Sequence, residues 1–347
     1  MTASGRQFFD RAGDSFWTVD KQTVTKLRED VETKDRAVTD FSHLITHQYR
    51  RAESGKLNKR ASEILNKIDI GVKSLRDAEK RRTLEWLSSS SKAPPDKQQE
   101  LRSKIDRDAL KSGQWLLDSD VYSDWQKDPH SFLWLYGASG CGKSCLCSTI
   151  IKDLLESSAR NDDTVVVYWY FDNGESRTQN LQDLLRFFLR QISARTDPFP
   201  SIVQDLAERH ELSNSNPDIA TLFKALMETV SSLGINVFFV FDAIDEYRAG
   251  DETLRAEFLD ILVKLTDAKI TKLHLLVTGI QEEDIQKTFD RLEKSPTKLN
   301  IEKLVSEDLD AYLRAKIDRY AEDKPLWDTE IKSKIEKTLK ADGCALL

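Results

Sequence analysis

The sequence predicts an α/β fold: a parallel sheet flanked by helices, with a helical region before it and a helical segment after it. Three observations predict this. Short β-branched and aromatic runs alternate with longer helical patterns, which is how parallel sheets are built through crossover helices. One such run, 132–136 (FLWLY), feeds a glycine-rich turn and then an apolar helix. That turn reads Gly137-Ala138-Ser139-Gly140-Cys141-Gly142-Lys143-Ser144 and fits G-x-x-x-x-G-K-[ST] at every fixed position. A second run, 237–241 (VFFVF), ends in Asp242, at the carboxyl end of a buried strand where ligands meet open α/β sheets.

The elements follow in order. Residues 1–20 read as irregular, with Phe8, Phe9, Phe16 and Trp17 as aromatic anchors. From 21 to 51, Val24, Leu27, Val31, Val38, Phe41, Leu44 and Ile45 recur mostly at three- and four-residue steps, an amphipathic helix that Gly55 separates from the next. A second helical stretch covers 57–87, with Gly71 as a weak point inside it; the two stretches suit an antiparallel hairpin. The composition of 88–97 (SSSSKAPPDK) is that of a linker, and a short polar helix follows it. Further strands are read at 164–171 (TVVVYWYF), 273–278 (LHLLVT) and 299–301, and helices at 181–192 and 220–233. From 306 onward the chain reads as helical, with a last helix over 327–340. The expected domains are 1–87, a helical region; 88–110, a linker; 111–295, the sheet domain; and 296–347, a trailing helical segment.

Composition narrows the class. The chain has 347 residues, 39% hydrophobic and 32% charged, as expected of a soluble, cytoplasmic globular protein. Its net charge of -7 argues against generic nucleic-acid binding. There is no secretory signal and no apolar run long enough to span a membrane. Of four cysteines, Cys141, Cys145 and Cys147 crowd into the turn and its helix, and Cys344 stands apart. None forms a C-x-x-C or zinc-ligand spacing, so they read as small reduced residues.

The glycine-rich turn has a specific use. Its glycines let successive N–H groups point into one hollow, and the following helix aims its positive end there. Residues Gly137 to Cys145 are the expected nucleotide cradle, with Lys143 offering charge to the outer phosphates. Ser144 and Asp242 are the expected Mg²⁺ partners, because Mg²⁺ prefers hard oxygen donors. Ala243 leaves room beside the metal, and Asp245 and Glu246 are candidates to orient or deprotonate an attacking water. Trp115 and Trp125, just upstream, either cover a base or pack on the sheet edge.

Together GASGCGKS and VFFVFDAIDEY resemble the NACHT family of STAND-class P-loop NTPases. The segments GQWLLDSDVYSDW, SFLWLYG and RTQNLQDLLRFFLRQI resemble the nephrocystin-type NACHT proteins of filamentous fungi. The resemblance spans about residues 75–345 and makes 111–295 the NACHT domain. It implies a P-loop NTPase sheet, ATP or GTP binding with Mg²⁺, ADP or GDP in the resting state, and nucleotide-dependent oligomerisation. It also implies signalling in self/non-self recognition or cell death; the N-terminal helices read either as a module that binds protein partners or as a helical spacer.

The sequence departs from that family at two places. In the family the strand LHLLVT runs into Ser-Arg, whose arginine senses the γ-phosphate; here Gly279 and Ile280 follow. A missing cation removes transition-state stabilisation, so binding is expected to outlast hydrolysis. The sequence also stops before the family's winged-helix and repeat regions, as a fragment or a short form. The expected function is a slow nucleotide-controlled signalling switch with nucleotide and protein partners and a homo-oligomeric state. The alternatives are a non-catalytic scaffold or decoy partner of a full-length relative, and a small-molecule kinase, which the lack of an arginine-rich lid disfavours.

Overall fold

The computed structural model describes residues 21–49, 55–89, 97–107, 113–161, 163–302, 304, 310, 314, 317–321 and 327–341. The expectations for residues 1–20, for most of 88–96, for much of 303–326 and for Cys344 lie outside them. The chain divides into two compact units, Met1–Ala78 and Glu79–Leu347.

The first unit is built from α1 (Lys21–Tyr49) and the greater part of α2 (Gly55–Ser89). Val31, Phe41, Ile64, Ile70 and Leu75 keep most of their surface exposed. Asp35 and Arg76 approach to 3.9 Å. Helix α2 runs through Gly71 without a break, and a Cβ there would meet nothing within 4 Å. The glycine therefore costs helix propensity, ~1 kcal/mol, but no packing.

The second unit takes in the last turns of α2, then α3 (Lys97–Arg107), α4 (Gln114–Leu117), α5 (Asp120–Lys127), β1 (Ser131–Tyr136), α6 (Lys143–Arg160) and β2 (Thr164–Tyr170). After these come α7 (Leu181–Arg195), α8 (Ser201–Leu212), α9 (Ile219–Leu233), β3 (Asn236–Asp242), α10 (Glu252–Asp267), β4 (Leu273–Gly279), α11 (Glu283–Asp290), β5 (Thr297–Asn300) and, later, α12 (Thr329–Ala341). All strand pairs are parallel, in the order β2-β3-β4-β1-β5. This is the α/β fold of P-loop NTPases: a five-stranded parallel sheet flanked by helices.

The strands are apolar on both faces because both faces are covered. In β1, Phe132 and Trp134 enter one core while Leu133 and Leu135 enter the other; in β3, Phe239 and Phe241 oppose Phe238 and Val240. The first core also takes Leu184 and Phe188 of α7, Leu206 of α8, Leu226 of α9, Phe258 of α10 and Phe289 of α11. The second takes Leu101 of α3, Leu116 of α4, Tyr122 and Trp125 of α5, and Leu146 and Ile150 of α6. Trp125 donates its indole N–H to the Leu275 carbonyl at 2.9 Å and meets Phe238 edge-on at 5.2 Å. It is a core residue, which answers for Trp125 the question of base contact or packing.

Strand order is what makes the site. It sets β4 between β1 and β3, so the carboxyl ends of these three strands and the turn into α6 share one rim.

Candidate functional site: the phosphate loop and the β3 carboxylate

Residues 137–142 leave β1 and close into α6. Gly140 and Gly142 adopt positive φ, 75° and 93°, which other residues reach only with strain. The Cys141 amide donates to the Ala138 carbonyl at 3.3 Å. Lys143 is nearly buried and folds back over the loop, its ammonium 2.8 Å from the Gly137 carbonyl and 2.7 Å from that of Ala138. Its charge is thus met by carbonyls of the loop.

Asp242 closes β3 and is buried. Thr278, near the end of β4, donates its hydroxyl to Asp242 Oδ1 at 2.6 Å and accepts the Ala243 amide at 3.0 Å. Burial pushes the Asp242 carboxyl above its ordinary range; hydrogen bonds from Ser144 and Thr278 and the Lys143 charge pull the other way. Lys143, Ser144 and Asp242, read from two distant motifs, therefore meet. Cys147, one turn further along α6, is buried beside Asp242 and Tyr170, and its thiol is raised by burial and by the Asp242 charge. Tyr170 continues the network to Gln98 of α3, which in turn donates to the Ser148 carbonyl at 2.9 Å.

Ala243 takes a left-handed conformation, φ 55°. The chain turns sharply there into a 3₁₀ turn, Ile244–Glu246. That backbone demand adds to the steric reason for a small residue. The two acids after it diverge. Asp245 is buried and accepts the Ile280 amide at 2.9 Å, tying the acidic turn to the exit of β4. Glu246 is half-buried and accepts the Asn173 amide at 3.2 Å; burial and the charges of Asp245, Asp172 and Asp242 raise its carboxyl. Ser139 lies exposed in the loop, and Cys145 lies partly exposed in the first turn of α6.

Two residues of the rim have no motif to announce them. Thr278 acts on Asp242 only because β4 lies beside β3. Glu302 follows β5 and accepts the Ala138 amide at 2.6 Å. A cavity of about 350 Å³ bordered by His130, Phe132, Leu275 and Lys294 lies at the opposite, amino-terminal ends of β1 and β4 and contains none of these residues.

A parallel α/β sheet with a P-loop at its carboxyl rim is the class that sheet order and loop together define. Residues 111–279, just under half the chain, match the family described as Nephrocystin 3, N-terminal. The chain is also similar to the Aeropyrum pernix ORC1 protein solved in complex with DNA, at 13% identity and a TM-score of 0.35, covering 67% of this chain and 56% of that one. It is similar to Aeropyrum pernix ORC2 in ADPNP-ADP complexes, at 14% identity and 0.36, covering 59% and 49%. For Cdc6p from Pyrobaculum aerophilum the figures are 14% and 0.35, covering 67% and 58%. The chain thus spans about half of the length of the structures it resembles. No curated protein matches it.

The partner expectation is corrected. Net acidity was the ground for excluding nucleic acid, yet a similar structure is a complex with DNA. Net charge is a sum over the chain, and nucleic acid responds to a local face, so the sum does not exclude it. Protein partners through the N-terminal helices and a homo-oligomeric state find no support among the described residues and are not carried forward. No helix among the described residues is long and apolar enough to cross a membrane.

Proposed function

We propose that this chain binds a Mg²⁺-nucleoside triphosphate, ATP or GTP, at the phosphate loop and works as a slow-turnover nucleotide switch of the nephrocystin-type NACHT kind, in signalling. The observation that carries this is the convergence of Lys143, Ser144 and Asp242 at one rim, where the Ser144 hydroxyl and the Lys143 charge both act to lower the buried Asp242 carboxyl. Loop amides from Gly137 to Cys145 would hold the phosphates and Lys143 would compensate their charge.

The donors at the rim fit Mg²⁺. A serine hydroxyl and one carboxylate are hard oxygens, and no group of three or more His, Cys, Asp or Glu among the described residues is arranged to hold a metal ion. Mg²⁺ keeps waters and phosphate oxygens and needs no full protein cage. Ser144 and Asp242 would hold the ion, which would neutralise charge on the outer phosphates. Glu246 is the better placed of the two acids to orient a water, because its carboxyl stays partly exposed while the buried Asp245 carboxylate ties down the Ile280 amide. The domain division at 111–295 belongs to this proposal and is supported by the match over 111–279.

Calorimetry with ATP, ADP, GTP and GDP, each with Mg²⁺, tests the reading. The wild-type chain is expected to bind at least one of them. Lys143→Ala is expected to weaken that binding roughly 10- to 100-fold, since a charge-assisted hydrogen bond contributes ~1.5–3 kcal/mol. Failure to bind any of the four would sink the proposal. Mass spectrometry of nucleotide retained by the native protein would give base and phosphate count together.

A second reading is binding without turnover. It is favoured by the end of β4, where Gly279 and Ile280 stand in place of the serine and arginine that the resemblance implies.

A further inference from the structure

We propose that Glu302 is an internal anionic latch on the phosphate loop, a carboxylate that holds the loop at Ala138 and weakens polyphosphate binding while it stays there. The inference rests on the nucleotide-binding reading above and adds to it a control of affinity.

The placement is fixed by the sheet. Strand β5 pairs with β1 in parallel, with Asn300 opposite Tyr136. The chain then turns against the end of β1: the Ile301 amide donates to the Tyr136 carbonyl at 3.0 Å, and the Glu302 amide to Asn300 Oδ1 at 3.0 Å. This carries the Glu302 side chain over the start of the loop, where Oε1 accepts the Ala138 amide at 2.6 Å. A Cβ at Gly137 would lie 3.1 Å from Glu302 Cγ, so the Glu302 side chain lies close against the start of the loop. Its negative charge is felt at Cys141, whose thiol is raised first by burial and further by Glu302.

The chemistry is self-competition. A loop built to present amides and one ammonium to an anion already has an anion of the same chain on it. Among the described residues no ion pair neutralises Glu302. An arriving polyphosphate must displace this carboxylate or bind beside it, and like charges at short range oppose binding in either case. The carboxylate therefore holds the empty loop in shape and raises the nucleotide concentration needed to fill it. Whatever moves the turn after β5 would change nucleotide affinity.

Glu302→Gln keeps an oxygen that can accept the Ala138 amide and removes the charge; Glu302→Ala removes both. Calorimetry with Mg-ATP and Mg-GTP at low ionic strength is expected to show Glu302→Gln binding ~3- to 10-fold more tightly than wild type, the effect of one screened charge. The gain should shrink as salt rises to ~0.5 M. Glu302→Ala should gain at least as much, with a lower melting temperature from loss of the loop contact. Equal or weaker binding by Glu302→Gln, with wild type binding normally, would overturn the latch and leave the nucleotide site standing. No binding by wild type or by either variant, with folding intact by circular dichroism, would overturn both.

Discussion

Gly279 leaves room for Asp245. A Cβ at 279 would fall 2.8 Å from Asp245 Oδ1 and 3.1 Å from Ile244 Cγ1, closer than either side chain can accept without moving. Asp245 cannot give way cheaply, because its carboxylate holds the Ile280 amide in a buried setting. The departure from the Ser-Arg of the resembling family is thus built into the packing: the serine position has no space for a side chain. Gly279→Ala is expected to destabilise the fold by ~1–3 kcal/mol, the range for losing a buried hydrogen bond or overpacking a close contact. Chemical denaturation checks this. An unchanged midpoint would mean that Asp245 relaxes freely and is not a structural tie.

At the scale of elements, β4 carries most of what the sequence hides. His274 lies in its buried stretch, stacked on Phe238 at 4.5 Å, with Nδ1 2.8 Å from the Ser131 hydroxyl. Burial drives its imidazole down from the ordinary 6.5 to about 4. In the unfolded chain the ring gains its proton near 6.5, while the fold resists protonation down to about 4. Between those values the unfolded state binds more protons, so stability rises with pH through that window and is lost as pH falls towards 4, a swing of ~3 kcal/mol. His274→Leu is expected to flatten that slope in urea titrations between pH 4 and 6.5; an unchanged slope would place the acid sensitivity elsewhere. The strands were legible because two-sided burial writes apolar runs such as VFFVF, and LHLLVT with its one histidine and terminal threonine. Helices α8 and α11 were not read from the sequence: they bury only Val203, Leu206 and Ala207, and Ile285 and Phe289, too few to show a period. Helix α10 was missed too, and its buried face includes Arg255, paired with Glu282 and Asp284, which a hydrophobic pattern does not anticipate. Lys143, Ser144 and Asp242 were legible because each belongs to a local motif. Thr278 and Glu302 were not, because what they touch depends on β4 lying beside β3 and β5 beside β1.

Across the whole second unit, the apolar layers on the two faces of the sheet bear the cost of burying the Asp242 carboxylate. Asp242 is held above its ordinary range chiefly by burial, and Ser144, Thr278 and Lys143 offset this only in part. A carboxyl raised on folding keeps its proton in the native state over a window where the unfolded chain has lost it. Its contribution to stability therefore falls as pH climbs from the ordinary 3.8 to the raised native value, and at neutral pH the ionised group is a net burden on the empty protein. A bound cation would reverse that sign, since the same charge would then gain a partner. Asp242→Asn keeps an oxygen for Thr278 and removes the burden. The ligand-free variant is expected to melt higher than wild type, by ~1 kcal/mol or about 2 °C. Wild type with Mg-nucleotide at ~100 times its Kd should gain ~2.7 kcal/mol, and most of that gain should be missing in Asp242→Asn. Thermal melts of both proteins, with and without Mg-nucleotide, decide it. A ligand-free variant less stable than wild type would show that the buried charge is compensated by its neighbours. An equal ligand-induced rise in the two proteins would show that the carboxylate takes no part in holding the metal.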